Sequence, residues 1–244
     1  MADQELIQKT IETLAEKFQI AQDEVLGAIM SMVDGKSTAD AIAILNEIDV
    51  SAVMLAKSIG IISIYTQANI NTLITIQMFS DISEDVLQTL LTQSEQYLSG
   101  QITAMGNVMK QEIINGAINK RTVGEIVDNI GKKGYASGVG MKRIVNDGLN
   151  NYSRAVTRVM MEEAPENTKY IYIGPADEKT RSFCLSAIQL GPATMEKIRS
   201  MGGEWVASLS EGGGINCRHG WEIVTEDVRS QFYRKEEAED ILDA

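Results

Sequence analysis

The sequence predicts an α+β protein, in which a mainly helical N-terminal region precedes a small α+β C-terminal module with short strands. Two observations predict this division. Apolar residues recur at helical spacing through the first hundred residues, whereas a β-branched and aromatic run and several glycine-containing turns follow Pro165. The composition agrees, because 5% aromatic residues and 12 methionines favour helices packed through aliphatic contacts over a β-sandwich.

The first three predicted helices cover residues 6–18, 25–33 and 38–45. Apolar side chains repeat at helical spacing in the first two, and Gly35 ends the second. A hydroxyl residue at position 37 or 38 provides the cap of the third. These segments together predict a helical start to the chain.

An uncharged run from residue 58 to residue 80 raises the question of a membrane-spanning helix. Its serine, threonine, asparagine and glutamine side chains make it too polar for a lipid-facing helix of about 20 residues. Because apolar residues occur on more than one side, we predict a helix that opens at Ser51 and is buried in a bundle or faces an identical helix in a homo-oligomer. We expect no membrane span, and the first five residues show no secretory signal.

Glycines lie within and between the predicted helices in the middle of the chain. These helices cover 81–91, 102–118 with weak breaks at Gly106 and Gly116, and 122–130 with the capping-box spacing of Thr122 and Glu125. The stretch 131–140 is the clearest loop in the sequence. An amphipathic helix then runs from Met141 until Pro165 closes it, and its charged residues, among them Arg154, lie off the apolar stripe.

The C-terminal module is predicted from short segments separated by glycine. They are a strand at 170–173 that ends at Gly174-Pro175, a short helix at 194–201, a tight loop at 212–214 and a strand at 221–224. We therefore divide the chain into a helical interaction or oligomerisation region (1–136), a C-terminal module (137–225) and a charged tail (226–244) that is predicted to form a surface helix.

Charge is spread unevenly along the chain, whose net charge is −12. Residues 1–102 contain 14 acidic and 4 basic residues, a balance of −10, whereas residues 103–182 contain 12 basic and 9 acidic residues, a balance of +3. Only this middle part could offer a basic face to nucleic acid, and its candidate contacts are Lys132, Lys133, Lys142 and Arg143. An ordinary solvated helix surface is the preferred interpretation of the same residues.

Four residues of the C-terminal module could together bind zinc: Asp177, Cys184, Cys217 and His219. Cys217 and His219 are separated by one residue, and on a strand such side chains point to the same face. Zinc binds thiolate, imidazole and carboxylate, and a structural site takes four ligands. For a small module with little core, bound metal could supply on the order of 10 kcal/mol of stability.

Other interpretations of these residues stay open at this point. Lone cysteines are often buried as small apolar residues, and a single histidine is often a hydrogen-bonded structural residue. A nucleophile–base pair of Cys184 and His219 is formally possible, although no third orienting residue is evident. A nucleotide site is not indicated, because residues 212–214 lack the Lys-Ser/Thr that follows a phosphate-binding loop.

Two blocks of the module resemble one known family. Residues 172–184 read YIGPADEKTRSFC, and residues 214–221 read GINCRHGW. In this order they are similar to the C-terminal signature of the phage head morphogenesis proteins, the Mu protein F-like minor capsid proteins. The resemblance covers about residues 137–224, including the amphipathic helix, and its matching positions are Asp177, Thr180, Arg181, Cys184, Asn216, Cys217, Arg218 and His219. The segment between the blocks lacks the proline-rich loop often found in the family.

The resemblance implies a non-catalytic virion protein. Members of the family are minor components of the phage head, associate with the portal protein, and help the procapsid assemble or its DNA leave. It therefore implies portal, capsid or scaffold proteins as partners, and a location in the virion, or in host cytoplasm during assembly. The cysteine and histidine positions suggest a structural metal, such as one zinc ion, or a packing site. The alternatives are a DNA-contacting internal head protein and, less favoured, a metal-dependent hydrolase.

Overall fold

The computed structural model describes residues 4–77, 82–133, 138–214 and 217–224. It confirms the predicted class, with many helices and one small antiparallel sheet near the C-terminus. The chain divides into two compact units, 1–152 and 153–244. The division falls inside an amphipathic helix, after the predicted boundary at residue 136, because Met141 and Val145 of that helix belong to the core of the first unit.

The first unit is built from helices alone in its described residues. They are α1 (Gln4–Val33), α2 (Thr38–Glu47), α3 (Val50–Lys57), α4 (Ile59–Gln77), α5 (Glu84–Ile118), α6 (Val123–Lys132) and the first part of α7 (Gly138–Glu163). The sequence predicted two helices where α1 is continuous. Buried Phe18, Ala21 and Val25 show the reason, since one apolar face carries on through the interval between the predicted segments.

Within the described residues the uncharged run forms α4, and a separate short helix, α3, precedes it. Asp49 caps α3 by accepting a hydrogen bond from the backbone N–H of Ala52, and the two helices meet at Ser58. In residues 59–71 of α4 one face is buried, since Tyr65 is inside the unit while Ile59 is 66% exposed. Among the described residues no single helix is both long and apolar enough to cross a membrane, although α3 and the first part of α4 reach that length as a pair bent by 54°.

The predicted breaks at Gly106 and Gly116 are absent, because α5 runs without interruption through both. At Gly106 the missing side chain serves close packing instead: a Cβ there would lie 2.6 Å from the Cα of Ser51 in α3. The capping box that begins α6 is confirmed, with the Thr122 N–H donating to the Glu125 carboxylate at 2.7 Å. The loop predicted at 131–140 is shorter, and its residues 134–137 lie outside the described residues.

The second unit contains a three-stranded antiparallel sheet covered by short helices. After the end of α7 come β1 (Lys169–Ile173), α8 (Ser182–Gln189), β2 (Ala193–Thr194), α9 (Met195–Ser200), α10 (Gly203–Glu211) and β3 (Gly220–Ile223). The strand order is β2-β1-β3, and Tyr172 of β1 pairs with Trp221 of β3. Both predicted strands and the helix α9 are confirmed, whereas α8, α10 and the two-residue β2 were not predicted. The predicted tail helix at 226–244 lies outside the described residues.

Candidate metal centre

Three of the four predicted ligands lie together in the second unit. The ligand atoms of Cys184, Cys217 and His219 are all within 4.8 Å of one another. The two sulfurs are 3.7 Å apart, and Cys217 Sγ is 3.6 Å from His219 Nδ1. The residues are deeply buried, with 1%, 2% and 4% of their surfaces exposed. This cluster could hold a metal ion.

Different elements bring these residues together. Cys184 lies in the first turn of α8, whereas Cys217 and His219 lie in the segment that leads into β3. The expectation that the last two share a face applies to a strand, whereas both residues precede β3, which begins at Gly220. Their ligand atoms nevertheless face the same point. The backbone of this segment is held by hydrogen bonds that its carbonyl oxygens accept from Arg154.

Arg154 of α7 holds that segment in place. Its Nε donates to the carbonyl oxygen of His219 at 3.1 Å, and its Nη2 donates to the carbonyl oxygen of Cys217 at 2.6 Å. The sequence placed Arg154 off the apolar stripe with the other charged residues, but its side chain is 6% exposed. A buried guanidinium must be hydrogen-bonded to be tolerated, so these carbonyl contacts explain its burial and fix the path of the backbone between both ligands.

The surroundings of Cys217 favour a thiolate. The backbone N–H of Gly213 donates to its sulfur at 3.0 Å, and the N–H of His219 lies 3.4 Å from it. Burial raises the pKa of Cys217, but the hydrogen bonds that its sulfur accepts from these N–H groups outweigh burial, and the pKa is lowered to about 6. Burial and the neighbouring Cys217 raise the pKa of Cys184.

Gly213 can approach the cluster because it has no side chain. A Cβ at this position would lie 2.3 Å from Cys184 Sγ and 3.3 Å from Cys217 Sγ. Its backbone therefore covers both sulfurs while its N–H bonds one of them. The same turn is held by Arg181, whose Nη1 donates to the Gly213 carbonyl oxygen at 2.9 Å.

His219 is oriented with one ring nitrogen toward the sulfurs. Its Nε2 lies 2.9 Å from the carbonyl oxygen of Pro175. Because a carbonyl only accepts hydrogen bonds, Nε2 is the donor, and the lone pair of the neutral ring is then on Nδ1, the atom that faces Cys217. A metal-binding histidine is usually oriented in this way by a carbonyl or carboxylate.

Asp177, the fourth predicted ligand, is not part of the cluster. Its carboxylate accepts two hydrogen bonds from the guanidinium of Arg218, at 2.7 and 2.6 Å. It also accepts from the backbone N–H of Lys179 and from the hydroxyl of Thr180. The bonds from Arg218, more than the others, hold the pKa of Asp177 well below its usual range. Asp177, Thr180 and Arg218 thus close the turn between β1 and α8, which corrects the predicted four-ligand set.

The remaining predicted residues lie elsewhere. Asn216 is outside the described residues. Lys132, Lys142 and Arg143 of the first unit are exposed. Lys133 forms a salt bridge of 3.0 Å with the buried carboxylate of Glu112.

Two residues near the cluster of Cys184, Cys217 and His219 were missed by sequence reasoning. Tyr172 of β1 places its hydroxyl 3.9 Å from the sulfurs of both Cys184 and Cys217. Arg154 donates to the backbone carbonyls of Cys217 and His219, and such contacts leave no spacing pattern in a sequence. The alternation of side chains along β1 is a usable signal for Tyr172, since it places that residue on the same side as buried Tyr170.

Comparison with known protein families, with curated proteins and with solved structures finds no match to this chain. The functional interpretation therefore depends on the residues of the chain and on the geometry of the cluster.

Proposed function

We propose that the chain is a non-catalytic minor capsid or head morphogenesis protein of a tailed phage, and that its second unit holds one structural zinc ion. The observation that carries the proposal is the meeting of the two sequence blocks. Cys184 ends the first block, Cys217 and His219 belong to the second, and the three side chains form one buried cluster. A shared centre is a physical reason for the two blocks to occur together.

The distances in the cluster support zinc as the ion. With Zn–S near 2.3 Å and Zn–N near 2.05 Å, a tetrahedral site separates two sulfurs by about 3.75 Å and sulfur from nitrogen by about 3.55 Å. The corresponding distances here are 3.7 Å for Cys184–Cys217 and 3.6 Å for Cys217–His219. The N–H groups directed at Cys217 favour the thiolate that zinc requires, and Nδ1 of His219 faces the same sulfur.

Burial of the cluster supports a structural role over a catalytic one. A cysteine nucleophile has to be reached by its substrate, whereas the backbone of Gly213 covers the sulfurs of Cys184 and Cys217. Both ring nitrogens of His219 are engaged, one with Cys217 and one with the Pro175 carbonyl. These features favour an ion that stabilises the unit and takes no part in a reaction.

Elemental analysis of the protein purified without chelator tests the metal. We expect about one zinc per chain in the wild type and a large loss of zinc in Cys217→Ser. Tyr170→Phe is the control, since its hydroxyl contacts the carbonyl of Met161 at 3.4 Å and not the cluster. A zinc content near zero, with wild-type stability in Cys217→Ser, would overturn the metal proposal.

Fractionation of phage particles tests the role in the head. We propose that the helical first unit is the interaction region, and that portal, capsid or scaffold proteins are its partners. We expect the full chain to sediment with procapsids and with mature heads, and to be depleted from particles assembled without portal protein. Absence from both procapsids and heads would contradict the proposal.

Contact with packaged DNA is a second candidate function, favoured by the exposure of Lys132, Lys142 and Arg143. It predicts DNA binding that weakens steeply with salt and that is lost when these three residues are replaced by glutamine. Replacing Lys9, Lys17 and Lys36 by glutamine is a charge-matched control outside the basic segment, because these three lysines are exposed on the first unit. Equal binding by the two sets of variants would remove this candidate.

A further inference from the structure

The cluster provides three ligands, but a closed structural zinc site takes four. The predicted fourth ligand, Asp177, is held by Arg218. Among the described residues, we look for the fourth donor in the other polar atoms near the two sulfurs. This inference rests on the proposed metal-binding role and concerns the same centre.

Tyr172 brings a hydroxyl to this position. Its oxygen is equidistant from Cys184 Sγ and Cys217 Sγ, at 3.9 Å from each, and the residue is buried. Both distances are long for a hydrogen bond, even one to sulfur. We propose that Tyr172 is the fourth ligand, so that two thiolates, an imidazole and a phenol oxygen hold zinc.

The spacing of these atoms leaves room for one ion between them. The two sulfurs and the phenol oxygen form a triangle with sides of 3.7, 3.9 and 3.9 Å. Its centre is about 2.2 Å from each corner, close to the Zn–S distance of about 2.3 Å and the Zn–O distance of about 2.0–2.2 Å. His219 Nδ1 borders the same space, since it lies 3.6 Å from Cys217 Sγ and within 4.8 Å of Cys184 Sγ.

Aromatic packing holds the phenol in this position. The ring of Tyr172 lies parallel to that of His219, with centroids 5.8 Å apart and planes within 7°, and meets Trp221 and Phe183 edge-on at 5.1 and 6.0 Å. These contacts belong to the ring and not to the hydroxyl. Tyr172→Phe therefore removes the donor atom while keeping the packing that a folded unit requires.

The test compares metal binding by the full-length wild type, Tyr172→Phe and the matched control Tyr170→Phe. Zinc affinity is measured by competition with a chromophoric chelator. We expect Tyr172→Phe to bind zinc at least about tenfold more weakly than the control, the lower end of the loss seen when only a supporting residue is removed. Tryptophan fluorescence of the metal-free proteins checks that the variants are folded.

Cobalt gives an independent measurement on the same proteins. Replacing the phenol by phenylalanine opens a position for water, so azide should change the visible spectrum of Co²⁺-loaded Tyr172→Phe and leave those of the wild type and Tyr170→Phe unchanged. In the wild type, zinc should also perturb tyrosine absorption in the ultraviolet, a signal that needs no Tyr172 variant.

Two negative results have different meanings. A wild type that binds one zinc, with no difference between Tyr172→Phe and Tyr170→Phe in zinc affinity or azide response, overturns the tyrosine ligand and leaves the zinc site in place. A wild type that binds neither zinc nor cobalt overturns the metal site itself, and with it this inference.

Discussion

Removal of the metal should destabilise the second unit and leave the first unchanged. All three cluster residues lie in the unit 153–244. An ion that binds only the folded unit stabilises it by about 2.7 kcal/mol when free zinc is roughly 100 times its dissociation constant. For a domain of this size, that free energy corresponds to an increase of roughly 10–20 °C in the melting temperature.

The positions of the tryptophans allow the two units to be followed separately. The two tryptophans of the chain, Trp205 and Trp221, are both in the second unit, and Trp221 donates to Ser208 Oγ at 2.8 Å within its interior. Tryptophan fluorescence therefore reports unfolding of this unit, whereas circular dichroism mainly reports the long helices of the first. We expect zinc to raise the fluorescence transition alone.

Cys217→Ser is the decisive variant in this assay. It should unfold at the temperature of the metal-free wild type and should not respond to zinc, whereas Tyr170→Phe should respond as the wild type does. If zinc and chelator leave the fluorescence transition of the wild type at one temperature, the reasoning from the cluster to a structural metal is refuted.

Three further substitutions test the framework around the cluster. Arg154→Met should cost about 3 kcal/mol or more in urea unfolding, because two hydrogen bonds from a charged donor are worth about 1.5–3 kcal/mol each, whereas exposed Arg158→Met should cost about 1 kcal/mol or less. Asp177→Asn should make the free energy of unfolding depend less on pH in acid. The lowered pKa of Asp177 contributes stability that is present above about pH 3.9, the pKa of an aspartate in the unfolded chain, and that is lost as the pH falls further. Gly213→Ala should weaken zinc binding, measured by chelator competition, because the new Cβ would meet Cys184 Sγ at 2.3 Å. An unchanged value in any of these measurements would contradict the role given to that residue.

Elements whose signals are local could be predicted from the sequence. The Thr122–Glu125 capping box, the β-branched strand β1 and the helix that begins after Thr194 each depend on neighbouring residues, and the structure contains all three. The continuity of α5 could not be predicted in this way. Whether Gly106 interrupts a helix or admits a neighbour depends on Ser51, which the sequence does not show to be adjacent.

The same distinction applies to the candidate site. Residue type and spacing identified Cys184, Cys217 and His219, because few side chains bind soft metals and the chain contains only two cysteines and one histidine. Asp177 was added to these candidate ligands only because a carboxylate is a side chain that can bind zinc. Its carboxylate instead pairs with Arg218, a residue 41 positions away whose guanidinium matches it with two parallel hydrogen bonds.

The hydrogen bonds around Cys217 bear on the choice between a metal site and simple packing. A cysteine buried as a small apolar residue would gain most as a neutral thiol, and burial alone raises a thiol pKa. At Cys217 two backbone N–H groups point at the sulfur and lower its pKa to about 6, and Nδ1 of His219 faces the same sulfur. The N–H contacts stabilise a negative sulfur. A buried thiolate is costly unless a cation compensates it, and a metal ion between these atoms would supply that charge.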